Sequence, residues 1–157
     1  MHLVIIGGSD AGISAALRAK ECYPHVEVTV LVADRYPNFS ICGLPFYLSG
    51  EVADWRTLAH RTTEEIEGEG IQLFLNHRAI RIAPNGKTVT AVDNSQHCHE
   101  FEYDRLIIAT GAASIQPPIE GLGLEGVFPL RWMGDAFAVE QYIAEHQPSS
   151  AAVLGSG

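Results

Sequence analysis

The chain has 157 residues, 46% apolar and 18% charged, with a net charge of −9, which suffices for one core, or for one domain and the start of another. The negative balance repels phosphate backbones and anionic bilayers, so neither nucleic acid nor a membrane surface is an expected partner. No apolar run approaches the roughly 18 residues of a membrane span, the Met1-His2-Leu3 start lacks the charged region of a secretion signal, and three cysteines without a C-x-x-C pair suggest neither a disulfide framework nor a zinc ribbon; a cytoplasmic protein is expected.

Leu3-Val4-Ile5-Ile6 is an apolar run too short for a helix, and it breaks into Gly7-Gly8-Ser9-Asp10-Ala11-Gly12. Ile13, Ala16, Leu17 and Ala19 then recur at helical spacing, so the predicted order is strand, tight turn, helix. Gly7 permits the turn, Gly12 lets the helix lie close on the strand, and N–H groups at the helix start face a pyrophosphate. Ser9 stands where the G-x-G-x-x-G pattern has its middle glycine; it leaves less room for phosphate but offers a hydroxyl. Val26 to Val32 is β-branched and alternating, the second parallel strand of a βαβ unit. A dinucleotide site places an acid at the end of that strand to hold ribose hydroxyls. The first carboxylate here is Asp34, with a plain solvated turn toward Pro37 as the alternative.

Trp55 to Gly70 has a helical pattern, with Thr62 or Thr63 as N-cap, Glu64 and Glu65 in the first turn, and Gly68 and Gly70 as stops. Ile71 to Leu75 reads as a strand, and Ala79 to Val92 as a hairpin around Asn85-Gly86. A strand from His99 to Tyr103 completes a small antiparallel meander before Leu106. Pro117-Pro118 and Gly121 to Gly123 form a connector to a helix from about Gly134 to His146. Ala151 to Gly157 then echoes the first motif as a strand and glycine loop, an engineered tail being the alternative. The expected fold is α/β, a Rossmann-like domain with a parallel sheet and a small antiparallel β-meander insertion. Its expected division is 1–115, 116–150 and 151–157.

Three segments carry a resemblance. Gly7-x-Ser9-x-Ala11-Gly12, the stretch Ser40-Ile41-Cys42-Gly43-Leu44-Pro45-Phe46-Tyr47, and Tyr103-Asp104-Arg105-Leu106-Ile107-Ile108-Ala109-Thr110-Gly111 occur in the order and spacing of one family. The chain resembles the FAD-dependent pyridine nucleotide-disulfide oxidoreductases of the single-cysteine branch, the NADH oxidases, NADH peroxidases and coenzyme A-disulfide reductases. Cys42 falls on that branch's lone redox cysteine. The resemblance implies an FAD site that draws on Gly7, Ser9, Ala11, Gly12, Asp34, Ser40, Ala109, Thr110 and Gly111, with NAD(P)H as co-substrate. It implies a small-molecule disulfide, oxygen or peroxide as acceptor, and a homodimer for the full-length parent. It also implies that 151–157 begins an NAD(P)H-binding domain, so the 157 residues alone are expected to be inactive and to bind FAD weakly.

Gly43 and Pro45 suit a helix start beside Cys42, whose N–H groups favour the thiolate. With no second cysteine nearby, the oxidised form is a sulfenic acid or a mixed disulfide. Asp10 stands where relatives often carry a histidine, and a carboxylate beside a thiol argues against peroxide chemistry; a plain first-turn acid is the alternative reading. Cys22 is expected to be a helix-end core thiol. In His97-Cys98-His99, neighbouring strand residues point to opposite faces, so no metal site is expected. The rival reading is a non-catalytic nucleotide-binding module with a structural Cys42.

Overall fold

The computed structural model describes residues 1–155. In chain order the elements are β1 (His2–Ile6), α1 (Asp10–Cys22), β2 (Glu27–Leu31), α2 (Leu44–Leu48), α3 (Thr63–Gly68), β3 (Ile71–Phe74), β4 (Arg78–Ala83), β5 (Thr88–Val92), β6 (Cys98–Glu102), β7 (Arg105–Ile108) and α4 (Met133–His146). Two compact units result: Met1–Ser40 with Arg56–Ala112, and Ile41–Trp55 with the chain from Ala113 onward.

The first unit is built on a four-stranded sheet of order β3-β2-β1-β7, parallel throughout. Both faces of β1 are covered, which is why its sequence is continuously apolar rather than alternating. Leu3 and Ile5 face one way, into a cluster with Ile13 and Ala16 of α1 and with Val28, Val30, Ile66 and Ile71. Val4 and Ile6 face the other way, packing with Leu31 and with Val89 and Ala91 of β5. Burying each such side chain contributes about 1.5–3 kcal/mol, so these two layers carry most of the stability of the unit. The second layer is the predicted meander, β4-β5-β6, antiparallel and inserted between β3 and β7. Its Val89 and Ala91 are buried at alternate positions of β5, as a strand with one covered face requires.

The expected helix over 55–70 is instead two pieces. A 3₁₀ turn spans Trp55–Leu58, and α3 begins afresh at Thr63. Between them Ala59 pairs with Phe39 across an antiparallel bridge, and the His60 N–H donates to the Asn38 carbonyl, so the backbone is drawn out of helical geometry. Thr62 then restarts it with a capping box: its hydroxyl accepts from the Glu65 N–H at 3.2 Å, and the Glu65 carboxylate accepts from the Thr62 N–H at 2.8 Å. Cys22 does end α1, but on its solvent side rather than in the core. Val153 and Leu154 form no strand and are 91% and 76% exposed. Parallel pairing needs a neighbouring strand, and none among the described residues meets them; Ser156 and Gly157 of the expected second loop lie outside the described residues.

In the second unit α2 packs against α4 through an aromatic group. Phe137 meets Trp55 edge-on at 5.4 Å and Tyr47 at 6.1 Å. The Tyr47 hydroxyl donates to the Glu140 carboxylate at 2.5 Å, and partial burial together with that carboxylate pushes the phenol up to about 12. Among the described residues no helix is long and apolar enough to cross a membrane.

Two glycines allow the packing argument to be checked. A Cβ on Gly12 would overlap the Gly7 carbonyl oxygen, whereas a Cβ on Gly134 in α4 would meet nothing within 4 Å. Thermal unfolding followed by circular dichroism is expected to show Gly12→Ala destabilised by about 1–3 kcal/mol or more. Gly134→Ala should be neutral, or more stable by a few tenths to about 1 kcal/mol.

Candidate functional site

Beside β1 the order in which strands are added to the parallel sheet reverses. From β1 the chain moves to β2 and β3 on one side and returns as β7 on the other, so β1 and β7 flank the switch point where open α/β sheets bind their ligands. The loop that leaves β1 lies in this crevice. Gly7 adopts φ +116°, a conformation that a side chain disfavours, and its N–H donates to the Leu31 carbonyl at 2.9 Å. A Cβ on Gly7 would overlap the Ala109 carbonyl beyond β7, and one on Gly8 would press on the Val32 side chain beyond β2. The loop is therefore held between its two neighbours.

Ser9 is the N-cap of α1, in extended conformation, and its side chain makes no capping bond. The first-turn N–H groups around Ala11 and Gly12 thus keep their donors for an external acceptor, at the positive end of a thirteen-residue helix. The one carboxylate in that turn is engaged: Asp10 Oδ1 accepts from Asn38 Nδ2 at 2.8 Å and stands 3.8 Å from His60 Nε2. Asn38 is a site residue that the sequence reading passes over. It is 5% exposed at φ +56°, donates its N–H to the Gly8 carbonyl at 2.7 Å and accepts from the His60 N–H, so it fastens the glycine loop to the Ala59 segment. The signal available was Pro37-Asn38, a turn pair whose second residue tolerates the left-handed region.

Asp34 lies just beyond β2, half-buried. Burial pushes its carboxyl above the usual range, opposed by a hydrogen bond from the Tyr36 N–H at 2.8 Å and by the charge of Arg78. Its carbonyl accepts from the Asn76 N–H, which ties the β2 end to the β3 end. At β7 the Ala109 N–H donates to the Ile6 carbonyl at 2.8 Å, Thr110 is exposed, and Gly111 turns the chain at φ +64°. Ser40 is half-buried, and its N–H donates to Leu58. The fold therefore gathers Gly7, Ser9, Ala11, Gly12, Asp34, Ala109, Thr110 and Gly111 around the ends of β1, β2 and β7, although they come from distant parts of the chain.

Cys42 belongs to the second unit. It sits in the 3₁₀ turn Ile41–Gly43 that leads into α2, with Pro45 in the first turn of that helix. Its thiol is exposed and free, as are those of Cys22 and Cys98. An exposed thiol contributes little packing, which weighs against a purely structural role.

Known proteins resemble the chain along its whole length. Residues 1–157 match the family described as pyridine nucleotide-disulphide oxidoreductase. An NADH oxidase of Methanocaldococcus jannaschii is 30% identical over 158 residues, which cover 100% of this chain and 35% of that protein. An NAD(P)H sulfur oxidoreductase (CoA-dependent) of Pyrococcus abyssi is 33% identical over 156 residues, 99% of this chain and 34% of that protein. The crystal structure of reduced Bacillus anthracis CoADR-RHD superposes with a TM-score of 0.90 at 27% identity, covering 94% of this chain and 27% of that one. The chain thus spans about a third of the length of the curated relatives it matches. With a matched profile along its whole length and the glycine loop at the sheet's switch point, it belongs to the pyridine nucleotide-disulphide oxidoreductase family.

Proposed function

We propose that this chain is the FAD-binding portion of an NAD(P)H-dependent flavoprotein oxidoreductase that reduces a disulfide, oxygen or peroxide through Cys42. The observation that carries the reading is the glycine loop wedged between Val32 and Ala109, beneath a helix start whose side-chain cap is missing. Such a cradle fits a pyrophosphate: the backbone approaches closely and the helix start has no side-chain cap, while Asn38 fixes the orientation of the neighbouring Asp10 carboxylate. In this reading the N–H groups of the Gly7 to Gly12 loop hold the pyrophosphate, and Asp34 accepts from ribose hydroxyls. Ser40, Ala109, Thr110 and Gly111 complete the contacts on the flavin side.

When bound, FAD would supply the two-electron relay that links NAD(P)H to the thiol chemistry. Cys42 is read as the group that meets the acceptor. Its thiolate attacks one sulfur of a small disulfide, the S–S bond breaks, the second sulfur leaves as a thiolate, and Cys42 is held in a mixed disulfide. Two electrons and a proton, supplied ultimately by NAD(P)H and solvent, then reopen that bond and release the second thiol. Exposure of Cys42 supports this role, because the attacking sulfur must reach a soluble partner. A sulfur-containing acceptor is the favoured class, since the Pyrococcus abyssi relative is described as a CoA-dependent sulfur oxidoreductase. The full-length protein is read as a cytoplasmic homodimer acting on a small molecule.

Three measurements test the proposal. The full-length protein purified from cells is expected to be yellow and to bleach on addition of NADH or NADPH; a colourless protein indifferent to added FAD would overturn the reading. Cys42→Ser should keep its flavin absorbance while disulfide reduction falls far more than about tenfold, because a serine hydroxyl does not attack a disulfide sulfur. Asp34→Asn separates stability from binding. Because the folded pKa of Asp34 is raised, its contribution to stability is present below the ordinary carboxylate pKa of about 3.9 and is lost as pH rises through the folded value. The amide keeps an acceptor for the Tyr36 N–H without the buried charge, so the variant is expected to melt at or above the parent temperature at neutral pH. That advantage should close as the pH falls below about 4. FAD affinity should meanwhile drop by about tenfold, the equivalent of one polar contact of about 1.4 kcal/mol.

A further inference from the structure

The antiparallel sheet of the first unit carries a set of ligating atoms that the proposed reaction leaves unused. His77 precedes β4, Asp93 follows β5 and His99 lies on β6, and one ligand atom from each falls within 4.8 Å of the others. Strand alternation argues against three consecutive ligands in His97-Cys98-His99, and β6 obeys it: Cys98 is exposed while His99 and Phe101 are half-buried. The rule that removes Cys98 keeps His99 on the inner face. The fold then brings His77 and Asp93 to it from outside the triplet.

Each of the three is oriented by a partner. His77 Nδ1 lies 2.8 Å from the Leu75 carbonyl, which only accepts, so Nδ1 carries the proton and Nε2 presents a lone pair. Its ring is boxed in by Phe74 at 5.4 Å, Phe101 at 6.3 Å and His99 at 4.8 Å. Asp93 Oδ1 accepts from the N–H groups of Ser95 at 2.8 Å and His97 at 3.0 Å, which leaves Oδ2 facing His99 Nε2 at 2.9 Å. These bonds fix the carboxylate so that Oδ2 points toward the two imidazoles. Two imidazoles and one carboxylate form a donor set for Zn²⁺ and its neighbours rather than for Mg²⁺ or Ca²⁺, which take oxygen alone. Around a tetrahedral ion with bonds of about 2.1 Å the ligand atoms stand roughly 3.4 Å apart, so closure asks for shifts of about an ångström.

The geometry points to a divalent transition-metal site, Zn²⁺ by its donor set, formed by His77, Asp93 and His99. A further position is open to water or to His97, whose Nδ1 stands 3.6 Å from Asp93 Oδ2. A bound ion clips the turn after β5 to the connection between β3 and β4. The proton now shared between His99 Nε2 and Asp93 passes to the other ring nitrogen or to solvent as the ion takes its place.

The test uses the intact, tag-free protein, stripped with chelator and titrated with Zn²⁺ alone by calorimetry. One saturable equivalent is expected, together with a Zn²⁺-dependent rise in melting temperature. Asp93→Asn retains an acceptor oxygen for the Ser95 and His97 N–H groups, and His77→Gln leaves Asp93 and His99 intact, so at least one variant remains folded by circular dichroism. Each folded variant should lose affinity by more than about tenfold. Adding Co²⁺ alone should shift the imidazole proton resonances of His77 and His99. Absence of a saturable equivalent overturns the site. So does an equivalent that every folded variant retains to within tenfold, because the ion would then be held elsewhere, as by the exposed thiols.

Discussion

Much of the first unit depends on a steric constraint, the close approach of α1 to the loop that precedes it. Gly12 leaves no room for a side chain against the Gly7 carbonyl, and Gly7 in turn leaves none against Ala109. This contact sets the height of the helix over β1 and lets Ile13 and Ala16 reach Ile5, Val28 and Val30. It also leaves the first-turn N–H groups at the mouth of the crevice between the strand ends. The same glycines thus serve the helix packing and shape the loop in the crevice, so a substitution that disturbs one disturbs the other.

The opposite face of the sheet is closed by the meander rather than by a second helix. Val89 and Ala91 fill the space over Val4, Ile6 and Leu31, with Phe74, Phe101 and Tyr103 at the margin. A parallel sheet needs cover on both sides, and here three antiparallel strands provide it. The same strands hold His77, Asp93 and His99 near that aromatic margin, where the packed rings limit how the imidazoles turn. Cover for the core and a place for a cation thus come from one insertion.

Two carboxylates lie near the glycine loop and the end of β2. Asp10 Oδ1 accepts from Nδ2 of the buried Asn38, whose backbone N–H also secures the Gly8 carbonyl. Asp34 is partly desolvated, which raises its carboxyl above the usual range, while the Tyr36 N–H and the charge of Arg78 act against that shift.

Local pattern by itself determined the strand, glycine turn and helix at the start, the second strand, the hairpin about Asn85-Gly86 and the last helix. Each depends on periodicity or on turn residues close in sequence. The glycine turns were legible for the same reason: Gly7, Gly12 and Gly111 sit in short motifs whose backbone role is written in their residue types. Tertiary structure decided what depends on distant partners. It broke the 55–70 helix, because Ala59 and His60 pair with Phe39 and Asn38 far earlier in the chain. It turned Cys22 toward solvent, left Val153 and Leu154 without a strand to join among the described residues, and made Asn38 the fastening of the loop. It also placed His77 and Asp93 beside His99. Such long-range neighbours leave no period in the sequence, since the contact exists only once the sheet and its insertion have folded together.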